Sequence, residues 1–157
     1  MECVIFLSMS LDIALLQDSF ALVAAKETDL ASRFYEILFE RYPQTRAMFR
    51  RRTEEQAKML TSALAAVVAH VDDRDWLIAT LPPMGAKHVS YGVTNEMYDW
   101  VGECLLAALA DVCGDAFTPA VRATWTAAFG AIAGLMQSGA EAAMQAAAPA
   151  TQPSSAA

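Results

Sequence analysis

The sequence predicts an all-α domain, and three observations carry that expectation. Strand signals are nearly absent, with no Asn-Gly or Asp-Gly hairpin and no sustained period-two alternation. Apolar residues recur instead at three- and four-residue spacing almost throughout. Capping residues and prolines fall where those stretches begin and end. The chain has 157 residues, 55% of them hydrophobic, enough for one core and too few for two full domains.

The first expected helix covers roughly residues 11–25, with Ile13, Leu16, Phe20 and Val23 on one stripe. A second runs from about Asp29 to Tyr42, with Phe34, Leu38 and Tyr42 on one face and Tyr35 and Phe39 beside it. Pro43 suits the first turn of a short third helix ending near Phe49. Thr53-Glu54-Glu55-Gln56 matches a capping box and opens a helix that buries Leu60, Leu64, Val67 and Val71 and stops at Asp72-Asp73. A short helix around Asp75 to Thr80 is expected to meet Pro82-Pro83, with a separate short helix carrying His88 as far as Gly92. Thr94 caps a long helix to about Gly114 whose apolar face is Tyr98, Val101, Leu105, Leu109 and Val112. Thr118-Pro119 opens the last helix, with Val121, Trp125, Ala128, Ile132 and Leu135 inward. From Gly139 the composition collapses to Ala, Gln, Pro and Ser, too little to bury a core. The expected boundaries are an N-terminal extension over 1–9, the folded domain over 10–142 and a disordered tail over 143–157.

Composition excludes several functions. A formal net charge of −7 argues against nucleic acid as partner, and Arg50-Arg51-Arg52 with Arg46 is too short a basic run to reverse that. No apolar stretch reaches the roughly 18 residues of a membrane span. The first residues lack the basic start and small-residue cleavage site of a signal peptide, so a cytoplasmic location is expected. The three cysteines include no Cys-x-x-Cys pair. Cys104 and Cys113, nine residues apart on one helix, stand about 13 Å apart, beyond disulfide reach.

The chain also lacks the glycine-rich phosphate loops, the Gly-x-Ser-x-Gly elbow and any zinc-spaced His/Cys cluster. Only two histidines occur. His70 reads as a surface residue at a helix C-terminus, where positive charge is favoured. His88 follows Met84 by four residues on an apolar face. Such a histidine is more often packed in a core than bound to metal. One imidazole cannot hold a bare ion, so as a ligand it requires a cofactor that brings the others, and a porphyrin does.

The segment Gly85-Ala86-Lys87-His88-Val89-Ser90-Tyr91-Gly92-Val93, with Tyr98 after it, resembles the proximal-helix signature of bacterial single-domain globins, the relatives of Vitreoscilla haemoglobin and of the globin half of flavohaemoglobins. Arg33 through Pro43, then Met48-Phe49, is similar to the family's second helix and the corner after it. Gln56 through Leu60 resembles its distal helix, and Trp125 through Gly130 its last helix. Gln56 and His88 are 32 positions apart, the family's separation.

The resemblance implies a globin fold of seven to eight helices around non-covalent haem b, with His88 as the iron ligand. There His88 binds through Nε2 while Nδ1–H donates to a backbone carbonyl one turn earlier, near Met84. It implies that Phe49 packs on the porphyrin, that Val93 and Tyr98 line its proximal edge, and that Arg50, Arg51, Arg52 and Lys87 are candidates to meet its propionates. Distally it implies Tyr35 and Gln56 as hydrogen-bond donors to bound O2, with Leu60 limiting ligand size. Gln56 has a competing use in the capping box at Thr53, and Tyr35 in plain core packing. The implied ligands are O2, CO and NO at a pentacoordinate iron, in a monomer or homodimer. The implied role is oxygen binding and transport. Alternatives are nitric oxide dioxygenase activity fed by a separate reductase, and gas sensing. Two departures stand out. The family's last-helix glutamate aligns with Ala140, one residue before Glu141, and the turn from Phe49 to Gln56 is shortened.

Overall fold

The computed structural model describes residues 11–26 and 29–147. Over these the chain forms α1 (Ile13–Ala24), α2 (Leu30–Arg41), a 3-10 turn at Pro43–Met48, α3 (Thr53–Ala69), α4 (Arg74–Ser90), α5 (Asn95–Cys113), a second 3-10 turn at Gly114–Ala116, and α6 (Pro119–Ala147). No strand occurs among the described residues.

Acidic caps start three of the helices. The carboxylates of Asp12, Asp29 and Asp73 accept from the backbone N–H of Leu15, Ala31 and Trp76 at 3.0, 3.1 and 3.0 Å. Thr118 does the same for Val121 at 3.3 Å. Two expected caps are not formed. Thr94 holds the N-cap position of α5, but its hydroxyl makes no capping bond. The capping box at Thr53 is absent, because α3 begins with Arg52 in the cap position and no side chain bonded there. Gln56 is thereby left free of the helix end.

The largest correction concerns Pro82 and Pro83, which break nothing. One helix, α4, runs unbroken from Arg74 to Ser90, where two short ones were expected. A proline costs an interior helix one hydrogen bond and a clash with the carbonyl four residues back. Here α4 lies along most of its length on α6, its dominant packing partner, and tertiary contact overrides the local preference. The contact is backbone to backbone: at Gly85 a Cβ would lie 2.7 Å from Cα of Met136, and at Gly139 2.5 Å from Cα of Pro82.

The core gathers Leu16, Phe34, Leu38, Cys104, Leu105, Leu109 and Trp125 from α1, α2, α5 and α6. Buried polar groups lock it: Trp125 Nε1–H donates to Ser19 Oγ at 2.9 Å, and Thr124 Oγ1 bonds both the N–H and the carbonyl of Asp12, at 3.0 and 3.1 Å. On α6 the buried positions past Ala128 are Ala133 and Ala140, while the expected Ile132 and Leu135 are only half-buried. Close approach to α4 demands small residues there. Cys104 and Cys113 are free and buried. The last helix continues to Ala147, past the expected start of the tail, as its alanines favour. The proposed 1–9 extension and the end of the tail lie outside the described residues. No described helix is long and apolar enough to cross a membrane.

Candidate functional site

Helix α2 presents Tyr35 and Phe39, four residues apart and hence on one face, toward the segment after Pro43. That segment supplies Phe49, and the three rings form a closed cluster: Tyr35–Phe49 5.3 Å, Tyr35–Phe39 5.7 Å and Phe39–Phe49 5.6 Å between centroids. Edge-to-face geometry at 76° for Tyr35 on Phe49 is the arrangement aromatic quadrupoles favour. Against this cluster lies a cavity of about 60 Å³ lined by Tyr35, Phe39, Arg46, Phe49, Arg51, Thr53 and Gln56.

Burial pushes the Tyr35 phenol above its ordinary range, and hydrogen bonding with Gln56 partly offsets that. Tyr35 therefore remains a protonated donor in a pocket where Gln56 offers an amide. The sequence placed Tyr35, Phe49 and Gln56 as site candidates, and the structure brings these three together. Phe39, Arg46 and Thr53 share the cavity without having been singled out. The signal for Phe39 was its helical spacing from Tyr35. Leu60 is half-buried against the core and is not in the cavity wall.

His88 lies in the last turn of α4, and the positive φ of 86° at Gly92 lets the chain turn just beyond it. Its Nδ1 is 2.7 Å from the carbonyl oxygen of Met84. As the tautomer with hydrogen on Nδ1, it donates to that oxygen and leaves the Nε2 lone pair available. Tyr91 packs edge-on to the imidazole at 5.8 Å. Helix α3, carrying Gln56 and Leu60, has its main packing against α1 and α2, and helix α4, carrying His88, has its main packing against α6. Val93 is half-buried and Lys87 exposed.

Tyr98 is buried, and among the described residues its hydroxyl is the one buried side-chain polar atom without a partner. Burial raises its pKa as well. Ala140, where the resemblance would put the last-helix glutamate, is buried, and the neighbouring Glu141 is exposed. His70, expected at the surface, is half-buried, its Nδ1 2.8 Å from Ala66 O and its ring stacked on Trp76 at 4.2 Å.

These residues fit a haem. A buried ring cluster and a donor pair are supplied by α2, α3 and the segment between them, and an oriented imidazole with a free nitrogen is supplied by α4. A single imidazole supplies one ligand, and the macrocycle supplies the rest. No group of three or more His, Cys, Asp or Glu side chains able to hold a bare ion occurs among the described residues.

Comparison with known proteins agrees. A family model described as globin matches residues 32–136. The chain is 38% identical over 115 residues to a flavohemoprotein of Rhodopirellula baltica, covering 71% of this chain and 28% of that protein. It is 33% identical over 100 residues to a globin-like protein of Aquifex aeolicus, covering 64% of this chain and 72% of the other. The chain thus spans under a third of the flavohemoprotein's length. Among solved structures, an engineered carbene transferase made from a Rhodothermus marinus protein described as a nitric oxide dioxygenase superposes with TM-score 0.76 at 30% identity, covering 85% of this chain and 94% of that one. A bacterial globin from Campylobacter jejuni gives 0.73 at 26%, covering 85% and 96%. The fold is the globin fold, a haem-binding one, and the chain belongs to the globin family.

Proposed function

We propose that the chain binds haem b non-covalently, with His88 Nε2 as its protein ligand, and reversibly binds O2, CO or NO on the opposite face. The observation that carries this is the 2.7 Å bond between Nδ1 of His88 and the Met84 carbonyl. It fixes the tautomer and ring orientation a metal-ligating histidine needs and raises the basicity of the other nitrogen. The haem, when bound, supplies the iron that coordinates the gas. The chain's own residues do the rest. Phe49 packs against the macrocycle, Val93 and Tyr98 line its proximal side, and the exposed Lys87 pairs with a propionate. Tyr35 and Gln56 donate hydrogen bonds to a diatomic ligand that gains negative charge on coordination, and such charge-assisted bonds are the stronger kind.

The test is the optical spectrum of the ferric, ferrous and CO-bound protein, with His88→Ala beside it. A haem Soret band that shifts with CO, and is lost or broadened in His88→Ala, supports the assignment. A protein that takes up no haem, or a variant spectrally identical to the parent, refutes it.

A second reading is nitric oxide dioxygenation, in which O2 and NO combine to nitrate. It is favoured by the likeness to flavohemoproteins and to the Rhodothermus marinus protein. In that reading the electrons come from a reductase. Sustained nitrate formation with re-reduction by cell extract would separate this from simple oxygen binding.

A further inference from the structure

The face where α2 meets α5 carries an aromatic pair that gas binding does not use. Tyr42, at the C-terminal end of α2, lies flat on Trp100 of α5, with ring centroids 4.5 Å apart and planes 7° from parallel. Its hydroxyl donates to Glu103 Oε2 at 2.8 Å, and Arg41 holds the other carboxylate oxygen at 2.6 Å. Both rings are half-buried, while Glu103 and Arg41 are exposed. Packing alone accounts for a stacked pair. The base set on its phenol is what marks this one. Among the described residues it is the one tyrosine–tryptophan stack, and Tyr42 is the one tyrosine whose hydroxyl meets a carboxylate. Tyr35 faces the Gln56 amide instead, and the Tyr98 hydroxyl has no partner. Of the other tryptophans, Trp125 is bonded to Ser19 in the core and Trp76 lies on His70.

A phenol that loses an electron becomes a strong acid, so its one-electron oxidation needs a base already within hydrogen-bond reach of the proton. Glu103 stands at that distance, with its second oxygen fixed by Arg41. Indole needs no such base, and an oxidised indole is the stronger oxidant of the two, so the pair passes an oxidising equivalent one way, from Trp100 to Tyr42. We propose that Trp100 and Tyr42 form a one-electron relay that carries oxidising equivalents from the haem side of α5 to the surface beside Glu103. The oxidant is a hydroperoxide reduced at the bound haem, and this half rests on the haem reading above. Trp100 follows Tyr98, assigned there to the proximal side of the haem, by two residues on α5. The indole gives one electron to the haem that the hydroperoxide has oxidised. Tyr42 returns that electron to the indole, its O–H bond breaks, and the proton passes to Glu103 Oε2. A soluble one-electron reductant, of the ascorbate or thiol class, then reduces the phenoxyl, which takes its proton back from Glu103. Each cycle moves one electron from reductant to haem and leaves the three side chains as they began.

The test is pulse radiolysis of the purified full chain with azidyl radical, a one-electron oxidant that acts without the haem. The indolyl band should decay in a first-order phase, independent of protein concentration, as the phenoxyl band rises with the same rate. That phase should vanish in Tyr42→Phe and in Trp100→Phe, each of which keeps an aromatic ring in the stack, and should persist in Trp76→Phe. Glu103→Gln keeps an acceptor of similar shape that cannot take the proton, and should slow the phase about tenfold or more. Because Glu103 is exposed, that variant stays folded and decides the matter if a ring variant does not. In the ferric haem-loaded protein, hydrogen peroxide should produce a tyrosyl radical seen by electron paramagnetic resonance, lost in Tyr42→Phe and quenched by ascorbate. An indolyl-to-phenoxyl phase that survives in folded Tyr42→Phe or Trp100→Phe, or keeps its rate in Glu103→Gln, overturns the proposal. So does an unchanged peroxide-dependent radical in Tyr42→Phe. A chain that takes up no haem would give no peroxide-dependent radical in any variant, which refutes the haem reading, while the azidyl phase still decides the relay.

Discussion

The joint between α4 and α6 gives a sharp test of the fold, through Gly85→Ala and Gly139→Ala. In a helix interior alanine is better than glycine by about 1 kcal/mol, so propensity alone says both changes should stabilise. The structure says the opposite. At Gly85 the new Cβ would lie 2.7 Å from Met136 Cα, and at Gly139 2.5 Å from Pro82 Cα, where ordinary contact begins at 3.4 Å. Both obstacles are helix backbone, which cannot rotate aside as a side chain can. The two helices must part locally, along the surface that holds α4 in place. Overpacking against yielding side chains costs roughly 1–3 kcal/mol, so the upper end applies here. Less the propensity gain, each variant should lose about 2 kcal/mol.

The controls lie on α6, with Gly139. Gly130 and Gly134 are exposed, and a Cβ at either meets nothing within 4 Å. Gly130→Ala and Gly134→Ala should each gain about 1 kcal/mol. For a domain of this size these figures correspond to falls of about 4–8 °C in Tm for the first pair and rises of about 2–4 °C for the second. Thermal unfolding followed by far-ultraviolet circular dichroism reads all four. If Gly85→Ala melts at or above the parent while Gly134→Ala behaves as stated, α4 and α6 are not in backbone contact and the packing argument fails.

Tyr35→Phe removes the buried donor without altering shape, and a hydrogen bond to a charged acceptor is worth about 1.5–3 kcal/mol, so O2 dissociation measured by stopped flow should speed up roughly 10- to 100-fold. Ser19→Ala leaves the Trp125 indole N–H unpaired in the core, for a loss of about 1–3 kcal/mol in urea unfolding. Tyr98→Phe removes a buried hydroxyl that has no partner, so stability should be unchanged or rise by about 1 kcal/mol, and a clear loss would reveal a partner the fold does not show. The raised pKa of Tyr35 means the folded state holds that proton more tightly than the unfolded chain. The contribution is complete below about pH 10 and is lost as pH rises through the folded value, so alkaline unfolding above pH 10 should be shallower in Tyr35→Phe.

What the sequence made legible was whatever a local rule controls. Helix starts at Asp29 and Thr118 follow from side chains that cap their own neighbours, and the pairing of Tyr35 with Phe39 follows from a period of 3.6. Gln56 had two competing uses in the sequence, a helix cap or a pocket wall, and only the absence of the Thr53 cap decides between them. The unbroken α4 was not legible, because Pro82-Pro83 reads as a break to any local rule. What overrides it is contact with α6, more than fifty residues away, at glycines that carry no pattern of their own. Arg46 likewise looked like part of a solvated basic run until the fold set it over Phe39 on the cavity wall.

The same logic explains how a small core keeps a ligand site open. Two helices bearing facing functional groups will collapse onto each other unless each is better satisfied elsewhere, since every apolar square ångström left exposed costs about 25 cal/mol. In this chain α4 is satisfied by α6 through glycine and alanine contacts, and α3 by α1 and α2. Each helix thus has its main packing partners elsewhere. The orphaned Tyr98 hydroxyl and the unused nitrogen of His88 persist for the same reason: the framework is held by joints that do not involve them. Loosening the α4–α6 joint should therefore damage the site before it damages the core. In Gly85→Ala the environment of His88 should change at temperatures where Trp125, buried between α1 and α6 and bonded to Ser19, still reports a native interior.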